Sequence, residues 1–185
     1  MDYTGIGISG KARSGKDTLA AILLERLGDS WRREALADAL KVEWYDDCFS
    51  WQKDSITKEH KIQYTNCMKE NNPHVRKELI DLGQKRRAED PDYWIKRVNL
   101  QPKCIITDVR FKNEFDYLKA RGFLMVRMEC TFETLRDRGC PPIQDPSECE
   151  LDNRDDWDVV VSNNAGFEVL EKAADEIVQT LYSCP

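Results

Sequence analysis

The chain has 185 residues, of which 41% are hydrophobic and 34% charged, with a formal net charge of −6. That balance is globular rather than disordered, and it is the opposite of what a general nucleic-acid binder carries. No apolar run is long enough to span a bilayer, the N-terminus lacks the pattern of a secretory signal, and the 7 scattered cysteines with only 2 histidines form no metal-ligand spacing. A reducing cytosol suits such thiols, and an acidic protein that binds an anion must do so with a few placed cations, which points to a small phosphorylated ligand.

Taken in chain order, Tyr3–Ser9 mixes small and apolar residues and stops at Gly10, as a buried strand does before a turn. Lys16–Leu27 has apolar residues at helical spacing and Gly28 to end it. Ala37–Phe49 is expected to be a second helix, and Ser50–Asn72 a polar, irregular segment with some helical potential, either mobile or covering the substrate. Pro73 opens a helix through Arg87, and Pro91 opens another to about Asn99. Lys103–Asp108 reads as a strand, Lys112–Arg121 as a helix ended by Gly122, Phe123–Glu129 as a strand, and Thr131–Arg138 as a short helix. A Pro-rich loop, Gly139–Asp152, precedes the last strand, Trp157–Ser162, and the last helix, Phe167–Tyr182. Strands alternating with helices predict an α/β fold with a parallel sheet covered on both faces, its ligands at the carboxyl ends of the strands.

Between the first strand and the first helix stands GISGKARSGKDTLA, Gly7 to Ala20, with the spacing Gly-x-x-x-x-Gly-Lys. The strand before and the helix after are the context that this pattern needs to hold phosphate. Gly10 and Gly15 let the backbone aim N–H groups inward, the helix N-terminus favours an anion, and Lys16 reaches the β- and γ-phosphates. Lys11 and Arg13 add positive potential or are merely solvated. The position after the lysine, normally Ser or Thr, is Asp17. Its carboxylate can hold magnesium, directly or through water, or can simply complement the helix dipole; Thr18 supplies a hydroxyl one position later. Asp108, at the end of a predicted strand, can order the metal's water shell or cap the next helix, and Arg110 can grip a phosphate in bidentate fashion.

Six runs in order, GKARSGKDT, ALADALK, DPDYW, DVRFKNE, DPSECELD and WDVVVSNNAG, resemble the deoxynucleoside monophosphate kinases of large tailed bacteriophages, over roughly Ile6 to Val178. Animal-type phosphomevalonate kinase is similar at greater distance, through its Gly-Lys-Asp loop. The resemblance implies a single P-loop kinase domain: a three-layer sandwich with a five-stranded parallel sheet, an acceptor-binding helical region at about 37–100 and an arginine-bearing lid at about 130–152. It implies ATP and Mg2+, transfer to a deoxynucleoside monophosphate, small-molecule nucleotide partners and no nucleic acid or membrane. Host cytoplasm follows for a phage protein, and a homodimer is left open.

By motif, Gly10, Arg13, Ser14, Gly15, Lys16, Asp17 and Thr18 would bind ATP, with Asn163 and Asn164 at the donor base. Asp17 and Asp108 would serve the metal, and Lys16, Arg110, Arg136 and Arg138 the moving phosphoryl group, with Arg127 near the lid. Asp38, Lys41, Trp44, Arg76, Arg87, Trp94 and Arg110 would meet the acceptor. Trp44 and Trp51 are stacking candidates, whereas Trp94 and Trp157 also suit a core. Arg136 and Arg138, two apart, do not share a helical face. The chain departs from the pattern at Ala35, Ala39, Gly83-Gln84-Lys85 and Asp145, all in acceptor or lid regions. The alternatives are a kinase of another small phosphorylated acceptor, phosphomevalonate-like, and a nucleotide-binding regulator without transfer.

Overall fold

The computed structural model describes residues 3–52, 54–140 and 149–183. They divide into two compact units, one made of the chain up to Glu34 and from Leu100 onward, the other of Ala35–Asn99. The expected lid lies partly outside the described residues, as does Asp145.

The first unit is built on five parallel strands: β1 (Gly5–Gly10), β2 (Arg32–Glu34), β3 (Cys104–Ile106), β4 (Phe123–Glu129) and β5 (Val159–Ser162). Their order in the sheet is β2-β3-β1-β4-β5, with β1 in the middle. The central strands are buried along almost their whole length, which is why they read as continuous apolar runs rather than as alternating ones. Alternate residues nevertheless serve different layers. Ile6, Ile8, Leu124, Val126 and Met128 join the core under helices α1 (Lys16–Leu27) and α7 (Phe167–Tyr182).

α7 contributes Leu170, Ala173, Ala174, Ile177 and Leu181, an apolar stripe at helical spacing. On the other face Gly5 and Gly7 leave room for Phe123 and Met125; a Cβ on Gly7 would come within 2.9 Å of the Met125 methyl and 3.4 Å of Leu118. Leu118 and Phe115 are the buried apolar residues of α5 (Lys112–Lys119), which covers that face. The result is helices, sheet and helix in three layers. Short α6 (Phe132–Asp137) follows β4 and is capped by Thr131, whose hydroxyl accepts from the Thr134 N–H.

β2 was not expected from the sequence. Its residues are Arg-Arg-Glu, none fully buried, and it exists by pairing with β3 at the sheet edge rather than by its own pattern.

The second unit holds α2 (Leu36–Cys48), α3 (Lys58–Asn71) and α4 (Pro73–Glu89). Trp44, Tyr45, Val75 and Leu79 form its buried centre. α3 corrects the irregular part of the expectation for Ser50–Asn72 and realises the helical potential of that stretch over Lys58–Asn71. It begins at Thr57, whose hydroxyl accepts from the His60 N–H, and its inward positions are polar. Lys61 is buried and ion-paired to Asp46 at 2.6 Å, and the buried Thr65 hydroxyl donates to the Lys61 carbonyl. No apolar period marks such a helix. The expected helix from Pro91 is also corrected: residues 91–94 are a turn, followed by a 3-10 turn at Ile95–Arg97. The Asp90 carboxylate accepts from the Asp92 N–H and pairs with Lys96, which holds the chain in the turn.

Candidate active site: the phosphate loop and its surroundings

β1 delivers the chain to Gly10, and α1 takes it up again at Lys16. The backbone between them turns through left-handed conformations at Arg13 (φ 63°) and Gly15 (φ 99°). A side chain at Gly15 is excluded twice, because its Cβ would also lie 2.5 Å from the Asn163 amide nitrogen. At Gly10 a Cβ would lie 2.7 Å from the Met128 carbonyl oxygen. The loop is thus a backbone cradle that added carbon would fill, at the N-terminus of a 12-residue helix. Ser14 is fully buried within it, and its hydroxyl has no hydrogen-bond partner among the described residues.

Lys16 folds over the cradle, its ammonium donating to the carbonyls of Gly10 at 2.8 Å and Lys11 at 2.7 Å. Asp17 and Thr18 are exposed on the first turn, and Asp17 pairs with Arg33 of β2 at 3.0 Å. Asp108 is half-buried one residue before Val109, whose N–H donates to the Ile8 carbonyl of β1 at 3.2 Å. That bond fixes Asp108 beside the strand that feeds the loop. The next turn is held by Glu114, which accepts from the N–H groups of Arg110 and Phe111 at 2.9 and 3.0 Å. This is a side-chain cap on α5 that directs where Arg110 departs from the chain.

A cavity of about 240 Å³ opens beside the loop, lined by Arg13, Gly15, Thr18, Arg138, Asn163 and Phe167 among others. Arg138 is committed here: its guanidinium donates to the Arg13 carbonyl at 3.4 Å and the Asn163 carbonyl at 3.0 Å. Arg136 points elsewhere, exposed and 3.6 Å from Asp137. Cys130 lies under the same corner, its thiol donating to the Asn163 carbonyl at 3.2 Å; burial pushes that thiol up in pKa, against the pull of Arg138. The Asn163 side chain is buried against the loop, with its amide on the Ser14 carbonyl at 2.9 Å. Asn164 accepts from the Thr131 N–H.

One group escaped sequence reasoning. Asp152 takes Lys11 of the loop on one oxygen at 2.5 Å and Arg127 of β4 on the other at 2.7 Å. Arg127 is buried and also donates to Ser9. The signal available was a basic residue inside an otherwise apolar strand, which requires a partner.

In the second unit, Asp38 is buried and pairs with Lys41 at 2.7 Å, one turn apart on α2. Arg76 is exposed and Arg87 half-buried on α4. Trp44, a stacking candidate, turns out to be a packing residue, and Trp94 takes the core place that it also suited. Trp44 is buried and donates to Glu78 at 3.0 Å; Trp94 is 2% exposed and donates to the Gly83 carbonyl at 3.2 Å. Each indole finds both an apolar bed and a partner for its N–H, the condition under which Trp is stable inside. Trp51 is the exposed indole, 73% accessible, with its ring against Phe49.

A parallel sheet whose central strand runs into a Gly-x-x-x-x-Gly-Lys loop and a helix is the frame of a P-loop kinase. Residues 8–123, more than half of the chain, match the family model described as phosphomevalonate kinase, and the chain belongs to that family. The phosphomevalonate kinase of Drosophila melanogaster is 28% identical, over 92% of each chain. Among solved structures, shikimate kinase from Aquifex aeolicus is similar at 16% identity and a TM-score of 0.48, covering 97% of this chain and 96% of that one. A shikimate kinase from Acinetobacter baumannii is similar at 15% identity and 0.48, covering 98% and 94%.

Proposed function

We propose that this P-loop kinase transfers the γ-phosphate of ATP to a small acceptor that already carries a phosphate monoester, in the presence of magnesium. The observation that carries the reading is Lys16 at the mouth of a Cβ-free cradle on the N-terminus of α1. In the reaction an oxygen of the acceptor phosphate bonds to the γ-phosphorus while the bond to the β-bridging oxygen breaks, and ADP leaves. A monophosphate dianion is itself the nucleophile, so no general base is needed; the protein's part is alignment and charge.

Lys16 exchanges its loop carbonyls for the β- and γ-phosphates. Thr18 and the N–H groups around Gly15 hold phosphate oxygens. The donor base enters the cavity beside Arg138 and Phe167. Arg110 and the exposed Arg136 neutralise the moving group, and Asp38, Lys41, Arg76 and Arg87 meet the acceptor. Magnesium is usually bound by one or two carboxylates plus substrate phosphates and waters. Asp17 and Asp108 are the carboxylates that would hold it, and the ion would supply charge neutralisation to the transferring phosphoryl group.

For the acceptor, the family match and the Drosophila relative support phosphomevalonate or a close analogue. A deoxynucleoside monophosphate is the second reading, favoured by the exposed Trp51, an aromatic surface of the kind a base stacks on and an aliphatic acceptor does not need. ADP release with magnesium and ATP, measured against phosphomevalonate and each deoxynucleoside monophosphate, tests both. Turnover with one acceptor class selects it. Bound ATP with no turnover on any of them defeats the kinase assignment of these residues.

A further inference from the structure

We infer that Asn163 is a positioning residue for the phosphate loop, acting through the Ser14–Gly15 peptide rather than through the donor base; this rests on the reading above, that the loop holds the phosphates of ATP. Asn163 stands directly after β5 and is 2% exposed. Its main chain is fixed at both ends: the N–H donates to the Glu129 carbonyl at 2.8 Å, and the carbonyl accepts from Cys130 at 3.2 Å and Arg138 at 3.0 Å. The side chain therefore projects from a rigid point.

Its amide donates to the Ser14 carbonyl at 2.9 Å, across 149 residues of sequence. A trans peptide points its N–H away from its carbonyl. Holding the Ser14 carbonyl outward, against Asn163, therefore turns the Gly15 N–H to the opposite side of that peptide, away from the residue that holds it. The same amide nitrogen occupies the space a Gly15 Cβ would need, at 2.5 Å. The glycine and the asparagine thus form one device: the absence of a side chain at residue 15 lets the amide of residue 163 reach the peptide and set its plane. The Asn163 Oδ1 is buried without a partner among the described residues.

The test uses magnesium tripolyphosphate, which presents the phosphates without the base, and two full-length variants. Asn163→Asp keeps the shape but replaces the donor with oxygen, and Asn163→Ala removes the contact. Calorimetry gives the affinities, and the Gly15 amide signal in a nitrogen-15 spectrum reports on its N–H directly. Both variants should bind tripolyphosphate at least 10-fold more weakly than the wild-type chain, and the shift of the Gly15 signal on binding should shrink or vanish. A merely structural residue would lower the melting temperature and leave that shift in place. Wild-type affinity and an unchanged Gly15 shift in either folded variant overturn the inference. Failure of the wild-type chain to bind tripolyphosphate would instead defeat the reading of the loop as an ATP site.

Discussion

Lys16 donates its ammonium to the carbonyl of Gly10, six residues earlier, at 2.8 Å, so the loop's cation bridges the loop's own two ends. Replacing it with methionine keeps the stem and removes the charge. Turnover should fall on the order of 10²–10³-fold, the loss seen when one preorganised donor is removed from a developing charge. Stability should fall by only about 1 kcal/mol, because the carbonyls of Gly10 and Lys11 border solvent. Steady-state kinetics beside thermal melting checks both, and a folded Lys16→Met protein with near-normal turnover would sink the assignment.

Asp17 meets Arg33 at 3.0 Å, with both side chains largely exposed. A surface pair of this kind contributes roughly 0–1 kcal/mol to stability. Its consequence lies in competition: the guanidinium and magnesium would want the same carboxylate. Arg33→Ala should leave the melting temperature nearly unchanged and lower the magnesium concentration for half-maximal rate. Asp17→Asn should raise it. Magnesium titrations of the two variants check this, and identical curves for all three proteins would remove Asp17 from the metal's surroundings.

Much of this was legible because the informative residues are apolar or glycine. The strand Phe123–Glu129 and the helices Lys16–Leu27 and Phe167–Tyr182 have the bounds their patterns predict. The loop could be read because its spacing is dictated by backbone geometry, which only glycine satisfies at residue 15. What stayed hidden is polar burial. α3 turns Lys61 and Thr65 inward, and no periodicity rule scores those as core. The same blindness applied to Arg127 and Asp152. Indole exposure was only partly readable: Trp94 suited a core and is 2% exposed. Trp44 and Trp51 look alike in sequence, yet one donates to Glu78 inside the helical unit and the other stands in solvent. The separation of Arg136 and Arg138, by contrast, was legible from their spacing: Arg138 reaches the Arg13 and Asn163 carbonyls, and Arg136 stands outward.

Asp152 joins a loop cation to a strand cation, and the two partners differ in burial. Arg127 is 9% exposed, whereas the Asp152 side chain is 36% exposed. Removing one partner of a fully buried pair costs about 3–5 kcal/mol. With Asp152 partly solvated, Asp152→Ala should cost less, about 1–2 kcal/mol. Denaturant unfolding measures this. Arg127→Met, in the Asp152→Ala background, should recover part of the loss, because the stranded guanidinium is then gone. No recovery would mean that the cost arises from Lys11 rather than from Arg127.

Asp156 provides a pH signature away from the site. Arg154 grips both of its oxygens, at 2.7 and 3.2 Å, and Lys119 stands 3.4 Å away. The guanidinium first, and the ammonium after it, hold the carboxyl down at about 2, below its ordinary value of 3.8. A carboxyl depressed on folding binds fewer protons in the native state than in the unfolded one between those two values, so stability falls as pH falls. The contribution is complete above the unfolded value and is lost as pH drops through about 2. Asp156→Asn should therefore be less stable than the wild-type chain at neutral pH, with the gap closing between roughly pH 4 and 2. Because Asp156 is nearly half exposed, the gap should also narrow in molar salt. Urea unfolding of the two proteins across that range checks it, and a gap that stays constant down to pH 2 would show that the pair does not titrate with folding.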